Sequence, residues 1–504
     1  MSNNKGRKIT KVLIANRGEI ALRVMRSCRL MGIKSVAIYA TAELGMPHTT
    51  YADQGFDLGE GDLHATYLNQ EKIISIAQES GADAIHPGYG FLSENSSFAK
   101  LVEKSGLIFI GPTAEVIDLM GDKQASKIRM EEIGVPTIPG YHGDDQASEL
   151  LKSEAKKIGL PVLIKASAGG GGKGMRVVED LAQFEEHLAS AQREAASAFG
   201  NDQMLIEKYI INPRHIEVQV FSDMAGNHRH FFERECTIQR RHQKIVEESP
   251  SVALAPETKE RILASAVSIC ENIGYRGAGT VEFILDDDQS FYFLEMNTRL
   301  QVEHPVTEMV TGFDLVELQL KVAEGEDFNF GQKDIKQQGH SIEVRLYAED
   351  PDNDFLPSIG TISRIGETSQ SGVRFDSGYS DGDQITINFD PMLAKLIVDG
   401  KDRNEAVNKM LYSLDELPLL GVKTNREYLK RILQHSNFLS GEFFTHFVTT
   451  FKDDLKAKPL ETPVVAQAIA AHIVVQQGVF TPTGGVAATA ITTPWDSLTN
   501  FRNV

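Results

Sequence analysis

The chain has 504 residues, of which 41% are apolar and 24% charged, and a formal net charge of −19. That balance describes an ordinary soluble globular protein with core enough for two to four domains. It argues against nonspecific nucleic-acid binding, because most of the surface would repel phosphate, and no apolar run approaches the roughly 18 residues that span a bilayer.

KVLIAN reads as a buried strand, and Gly18 to Met31 as a helix with Ile20, Val24, Cys28 and Met31 on one face. Strands are expected at Ser35 to Tyr39, Ala82 to His86 and Leu107 to Ile110, with helices near 70–80 and 94–104. This rhythm predicts a parallel, doubly wound sheet, whose strand ends carry the turns NRGE and HPGYGFLSE. No GxGxxG follows the first strand, which speaks against a dinucleotide site. Cys28, Cys236 and Cys270 are far apart and form no CxxC pair, and the opening MSNNKGRKIT has no signal-peptide core; reduced thiols in the cytoplasm are expected.

A compact insert is expected from about 135 to 205, opened by VPTIPG and containing the strand PVLIKA, the loop SAGGGGKGM and a helix through Ala198. Gly169, Gly170, Gly171 and Gly172, followed by Lys173 and Gly174, leave backbone N–H groups free to close around an anion. Lys165, ending the preceding strand, would add a point charge; a flexible linker is the alternative. The loop is not a P-loop, since no GK[ST] opens a helix there. Lys123, in MGDKQASK, fits a phosphate lysine or, on spacing alone, a helix surface. Glu207 and Ile210, in LIEKYI, mark a strand edge and its exit, where a purine could find backbone hydrogen bonds. His215, just after Asn212-Pro213-Arg214, reads most simply as a turn histidine.

In ERECTIQRRHQKIVEESPS, the cations Arg240, Arg241, His242 and Lys244 sit between glutamates, as a solvated face or a strip for a small oxyanion. GTVEFIL and FYFLEMN, separated by Asp286 to Ser290, predict a hairpin. A turn centred on Asp288 and Gln289 places Glu282 opposite Glu295, their Cβ atoms about 5 Å apart. Like charges that close need a cation between them, and oxygen ligands favour Mg²⁺ or Mn²⁺; a lone pairing of one acid with Arg299 is the alternative. Glu295, Asn297, Arg299, Gln301 and Glu303 fall on alternate positions, which in an extended chain share one face. A helix is expected from Asp314 to Glu324, then a mixed region from about 336 to 450. Arg345, in IEVRLYAEDP, poses the same choice as the arginines before it: a lone strand arginine is more often structural. Beyond Lys458 the chain reads as a linker or docking tail and carries its one tryptophan, Trp495.

ANRGEIALRV, HPGYGFLSEN, MGDK, IKASAGGGGKGMRVV, PRHIEVQV, QRRHQK, GYRGAGTVEF and EMNTRLQVEHPVTE together resemble the biotin carboxylase family of ATP-grasp ligases, from about residue 8 to 450. The resemblance implies a multidomain α/β and α+β architecture. A Rossmann-like N-terminal domain (1–115) would precede an ATP-grasp domain (116–335) with a mobile lid at about 135–202, a mixed C-terminal domain (336–450) and a tail (451–504).

The same resemblance implies that Lys123, Lys165, the glycines 169–172, Glu207, Ile210, His215, Gln239 and His242 contact ATP, and that Glu282, Glu295 and Asn297 hold two Mg²⁺ or Mn²⁺ ions. Lys244, Arg299, Gln301 and Val302 match the bicarbonate site, Glu303 the base, and Arg345 and Tyr89 the place of biotin. No Met-Lys-Met biotin-attachment tripeptide occurs, so a separate biotin carboxyl carrier and a carboxyltransferase subunit are the expected partners in an oligomer. Leu30 and Ser371 stand where stand-alone bacterial enzymes tend to carry an acid and an aromatic, which favours an acyl-CoA carboxylase assembly over the familiar homodimer. Another ATP-grasp carboxylate-activating ligase, such as one making carbamoyl phosphate, and a non-catalytic ATP-binding subunit are the rival readings.

Overall fold

The computed structural model describes residues 6–167, 174–241, 243–366 and 370–457. At the N-terminus, β1 (Lys11–Ile14), β2 (Lys34–Tyr39), β3 (Gln54–Asp57), β4 (Ala84–His86) and β5 (Ile108–Phe109) form a parallel sheet in the order β3-β2-β1-β4-β5. The strand at 54–57 has no counterpart in the sequence reading: QGFD is a short, largely exposed edge without apolar alternation. The helix Gly18–Leu30 buries Ile20, Val24 and Cys28 as its periodicity requires, while Met31 is its C-cap and only partly buried. Helices Gln70–Ser80 and Ser96–Lys104 complete the alternation.

A second sheet is antiparallel and small: β6 (Gly140–Tyr141), β7 (Val162–Ala166), β8 (Arg176–Val178) and β9 (Met204–Lys208), in the order β6-β9-β7-β8. Helices Ser148–Ile158 and Phe184–Phe199 pack on it, and Leu151, Ala155, Val162, Ile164, Phe184 and Ile206 give it a core of its own. This is the predicted insert. The glycines 169–172, His242 and the tail beyond Ala457 lie outside the described residues.

The third sheet is the largest. β10 (Arg214–Ser222), β11 (His228–Arg240), β12 (Gln243–Ser249), β13 (Gly277–Leu285), β14 (Phe291–Asn297) and β15 (His340–Tyr347) belong to it. Short ribbons follow: β16 (Glu349–Asp350) with β17 (Leu356–Pro357), β18 (Gly360–Thr361) with β21 (Gln384–Ile385), and β19 (Arg364–Ile365) with β23 (Leu419–Leu420). β20 (Val373–Ser377) and β22 (Met392–Gly400) rejoin the large sheet, whose eight strands run β14-β13-β10-β11-β12-β15-β22-β20. β12 pairs directly with β15, so the strands before residue 300 and those after residue 339 share one hydrogen-bonded ladder. Among the described residues no helix is long and apolar enough to cross a membrane.

Candidate active site

β13 and β14 form the expected hairpin, and Glu282 is the Cα partner of Glu295, with Thr280 opposite Asn297. The register arises differently from the two-residue turn assumed. Asp286 N–H donates to Ser290 O, Gln289 takes φ +67°, and a bulge between Glu282 and Phe283 leaves Leu294 unpaired. The longer loop shifts the pairing by one residue and the bulge shifts it back, so the two acids still meet.

Glu282 is buried among donors. Lys244 Nζ (2.8 Å), Asn297 Nδ2 (2.9 Å) and Gln301 Nε2 (2.7 Å) reach Oε1, and His215 Nε2 stands 2.9 Å from Oε2. His215 is therefore no turn residue: Pro213 lies just outside β10, and the histidine is the second residue of that strand, opposite Ile284. Burial opposes ionisation of Glu282, but Lys244 and His215 hold its carboxyl well below the usual range. Glu295 shifts the other way, raised by burial and by Glu282; the ammonium of exposed Lys123 is 4.0 Å from its Oε2. Two facing acids of which one resists ionisation, with an amide beside them, make a hard-oxygen donor set that fits Mg²⁺ or Mn²⁺.

Lys244 Nζ is the hub, 2.5 Å from Glu217, 2.8 Å from Glu282 and 2.6 Å from Glu303. Burial works against its charge, but the three carboxylates keep it ionised far above the usual lysine value. Glu303 is buried at the N-cap of the helix His304–Thr311, and its second oxygen accepts from Arg345 Nη2 at 3.0 Å. Against the cost of burial, Lys244, Arg345 and Arg234 hold this carboxylate far below its ordinary value. Arg345 also donates through Nε to Glu247 at 2.6 Å.

The alternating row from Glu295 to Glu303 is extended only as far as Asn297; beyond it the chain turns into the helix. Its side chains nevertheless converge, Gln301 and Glu303 on the cluster and Arg299 on Asn297 Oδ1 (2.7 Å) and Glu94 (2.8 Å). Val302 contributes its carbonyl, which accepts from Lys395 at 2.8 Å. Half-buried Tyr89 donates to Glu19, and Gln239 bridges His215 Nδ1 (3.1 Å) and Cys236 O (2.9 Å). Lys165 pairs with Glu207 at 2.5 Å, beside buried Ile210. Of the strip 240–244, Lys244 joins the cluster while Arg240 pairs with Glu349 at 2.7 Å.

Four participants escape the sequence reading. Glu217 and fully buried Arg234 are joined, and Arg234 also reaches Gln219, Thr280, Gln301 and Thr307. Glu94 arrives from the N-terminal domain to orient Arg299, and Lys127 stands 3.1 Å from Glu207. The signal for Glu217 was present: it lies two residues from His215 in one strand and so on the same face.

Residues 8–117 match the biotin carboxylase N-terminal domain, 122–330 the carbamoyl-phosphate synthase L chain ATP-binding domain, and 343–450 the biotin carboxylase C-terminal domain. The alpha subunit of mitochondrial methylcrotonoyl-CoA carboxylase from Dictyostelium discoideum is 48% identical over 99% of this chain and 71% of its own length. Biotin carboxylase from Haemophilus influenzae is 48% identical over 87% of this chain and 98% of its own. The solved biotin carboxylase domain of 2-oxoglutarate carboxylase from Hydrogenobacter thermophilus, in complex with MgADP, ADP and bicarbonate, is 47% identical, covers 90% of this chain and all of its own, and superposes with a TM-score of 0.82. The chain spans 61–71% of the length of the methylcrotonoyl-CoA carboxylase alpha subunits it matches. With its three successive domains each matched and its relatives near half identical, the chain belongs to the biotin carboxylase family.

Proposed function

We propose that this chain carboxylates biotin presented by a separate carrier protein, using ATP and bicarbonate, as the first half-reaction of an acyl-CoA carboxylase. The observation that carries the reading is Glu303, a buried carboxylate held by Lys244 on one oxygen and Arg345 on the other, next to Glu282. One acid is thus within reach of both an anion site and a second substrate.

Lys165 and Lys123 bind the nucleotide phosphates together with the loop 169–172, while Glu207, Ile210, His215, Gln239 and His242 line its base and ribose. Glu282, Glu295 and Asn297 hold the divalent ions, which when bound neutralise charge on the triphosphate. Bicarbonate lies against Arg299, Gln301, the Val302 backbone and Lys244. As it takes up Lys244, Glu303 loses the strongest of the cations that depress it and becomes a better base. Glu303 accepts the bicarbonate proton, and the freed oxygen attacks the γ-phosphorus as the bond to ADP breaks. The resulting carboxyphosphate separates into CO₂ and phosphate; the phosphate takes the ureido N–H proton of biotin, and Arg345, with Tyr89 nearby, stabilises the enolate oxygen while nitrogen bonds to CO₂. A domain that closes over this centre excludes water from the intermediate.

The carboxyltransferase that receives carboxybiotin is a further partner, and its choice of acyl-CoA is made outside this chain. Three free, buried cysteines suit a reducing compartment such as the cytoplasm. The decisive experiment measures bicarbonate-dependent ADP release with free biotin or ammonia as acceptor. Stimulation and N-carboxylation with biotin are expected; product with ammonia alone would select the carbamoyl phosphate reading, and no bicarbonate dependence a non-catalytic one.

A further inference from the structure

Behind Arg345 lies a buried acid that the mechanism does not use. Glu343 is two residues earlier in β15, on the same face, and is the Cα partner of Glu247 across the β12–β15 ladder. Both residues are fully buried. Glu247 Oε1 accepts from Arg345 Nε at 2.6 Å, whereas its Oε2 and both oxygens of Glu343 have no hydrogen-bond partner among the described residues. Three orphaned acceptors on two facing acids have no place in a low-dielectric core unless a proton lies between them.

We infer that Glu343 is a neutral carboxylic acid which donates its proton to the free oxygen of Glu247, and that this acid pair positions Arg345. The inference deepens the proposed biotin site and rests on that reading for its catalytic part. The charges facing Glu343 are Glu247 from β12, Lys395 from β22, Arg345 from its own strand and Glu303 at the head of the helix His304–Thr311. His304 on that helix is kept neutral by burial and by Lys395. The helix Arg403–Glu416 turns Arg403 to Glu248, and Lys395 also stands 3.3 Å from Glu19. Burial, opposed by Lys395 and reinforced by Glu247, pushes Glu343 well above the ordinary carboxyl value; burial pushes Glu247 to about 7 in spite of Arg345. The proton belongs on Glu343, because Glu247 has the guanidinium and Glu343 has no donor. With one proton in the pair, Glu247 and Glu303 each offer Arg345 a single negative charge. An ionised Glu343 would compete for the guanidinium from below and draw it away from the ureido oxygen.

Three readouts on the full chain test this. Difference infrared spectroscopy of wild type at pH 7 should show the carbonyl stretch of a protonated, buried carboxyl that disappears in Glu343→Gln; no such band, or a band unchanged in the variant, overturns the inference. Second, the proton must be retained in the fold at a pH where the unfolded chain, titrating at about 4.5, releases it, so the wild type loses stability as pH rises above that value. Glu343→Gln should therefore gain in melting temperature relative to wild type between pH 5 and 8, and a difference flat with pH overturns the inference. Neither measurement uses the enzyme reaction. Third, Glu343→Leu, which leaves Oε2 of Glu247 without a donor, should lower kcat for biotin carboxylation about tenfold or more with bicarbonate-dependent ATP cleavage within about threefold, and Glu343→Gln should restore it. Equal losses in both variants would sink the positioning role even if the proton is there.

Discussion

Lys244 and Glu303 meet at 2.6 Å, and the ammonium that neutralises this acid is shared with Glu217 and Glu282. A buried cation shared by three buried anions cannot be removed without leaving charge uncompensated. Lys244→Gln should cost about 3 kcal/mol of stability in urea unfolding and abolish bicarbonate-dependent ADP release. A variant as stable as wild type would show that the cluster is not held by this charge.

Glu303→Gln keeps the shape and removes the proposed base. Bicarbonate-dependent ATP hydrolysis should fall about 100-fold or more, with ATP affinity little changed, in parallel turnover and nucleotide-binding measurements. Unchanged turnover would remove Glu303 from that role.

Arg345→Ala should separate the two halves of the reaction. Biotin carboxylation is expected to fall about 100-fold or more and bicarbonate-dependent ATP cleavage much less, since the proposed mechanism brings Arg345 in only at the second step. Loss of both in equal measure contradicts the assignment.

Glu94 accepts from Arg299 Nε at 2.8 Å and from Thr298 N at 3.1 Å, so a loop of the N-terminal domain fixes the guanidinium proposed to bind bicarbonate. Glu94→Ala should raise KM for bicarbonate about tenfold while leaving KM for ATP within about twofold, measured by initial rates. Parallel changes in both constants would place Glu94 in general folding instead.

Asp376 gives an acid-stability prediction. It is buried and bonded to Arg374 (2.7 Å) and Arg26 (2.9 Å); burial opposes its charge, but Arg374 and Lys395 hold it far below the usual carboxylate range. A depressed carboxyl stabilises the fold above its unfolded value of about 3.9 and loses that contribution as pH falls further. Asp376→Asn should cost about 3 kcal/mol at pH 7, with the gap from wild type closing in acid, as read by denaturant unfolding across pH. A gap that widens in acid would reverse the argument.

Much of the site was legible locally. The facing of Glu282 and Glu295 follows from strand alternation and survives because the longer loop and the bulge cancel. The clustering of Gln301 and Glu303 was read correctly from a wrong premise, since the chain is not extended there and a helix start does the gathering. Arg345 and His215 looked structural in isolation, because the acids that bond them, Glu247 and Glu282, arrive from other strands. Arg234 and Glu94 were hidden for the same reason, their partners lying 67 and 205 residues away along the chain. In the N-terminal sheet, apolar periodicity revealed the central strands and passed over the polar edge at 54–57.

The ladder between β12 and β15 has a mechanical consequence. Activation of inorganic carbon and its delivery to biotin are mounted on a common slab, so the spacing between the two tasks is rigid and cannot be tuned by a joint at that seam. Severing the polypeptide near residue 335 would leave two raw strand edges in place of two portable modules, and such fragments should clump unless supplied together.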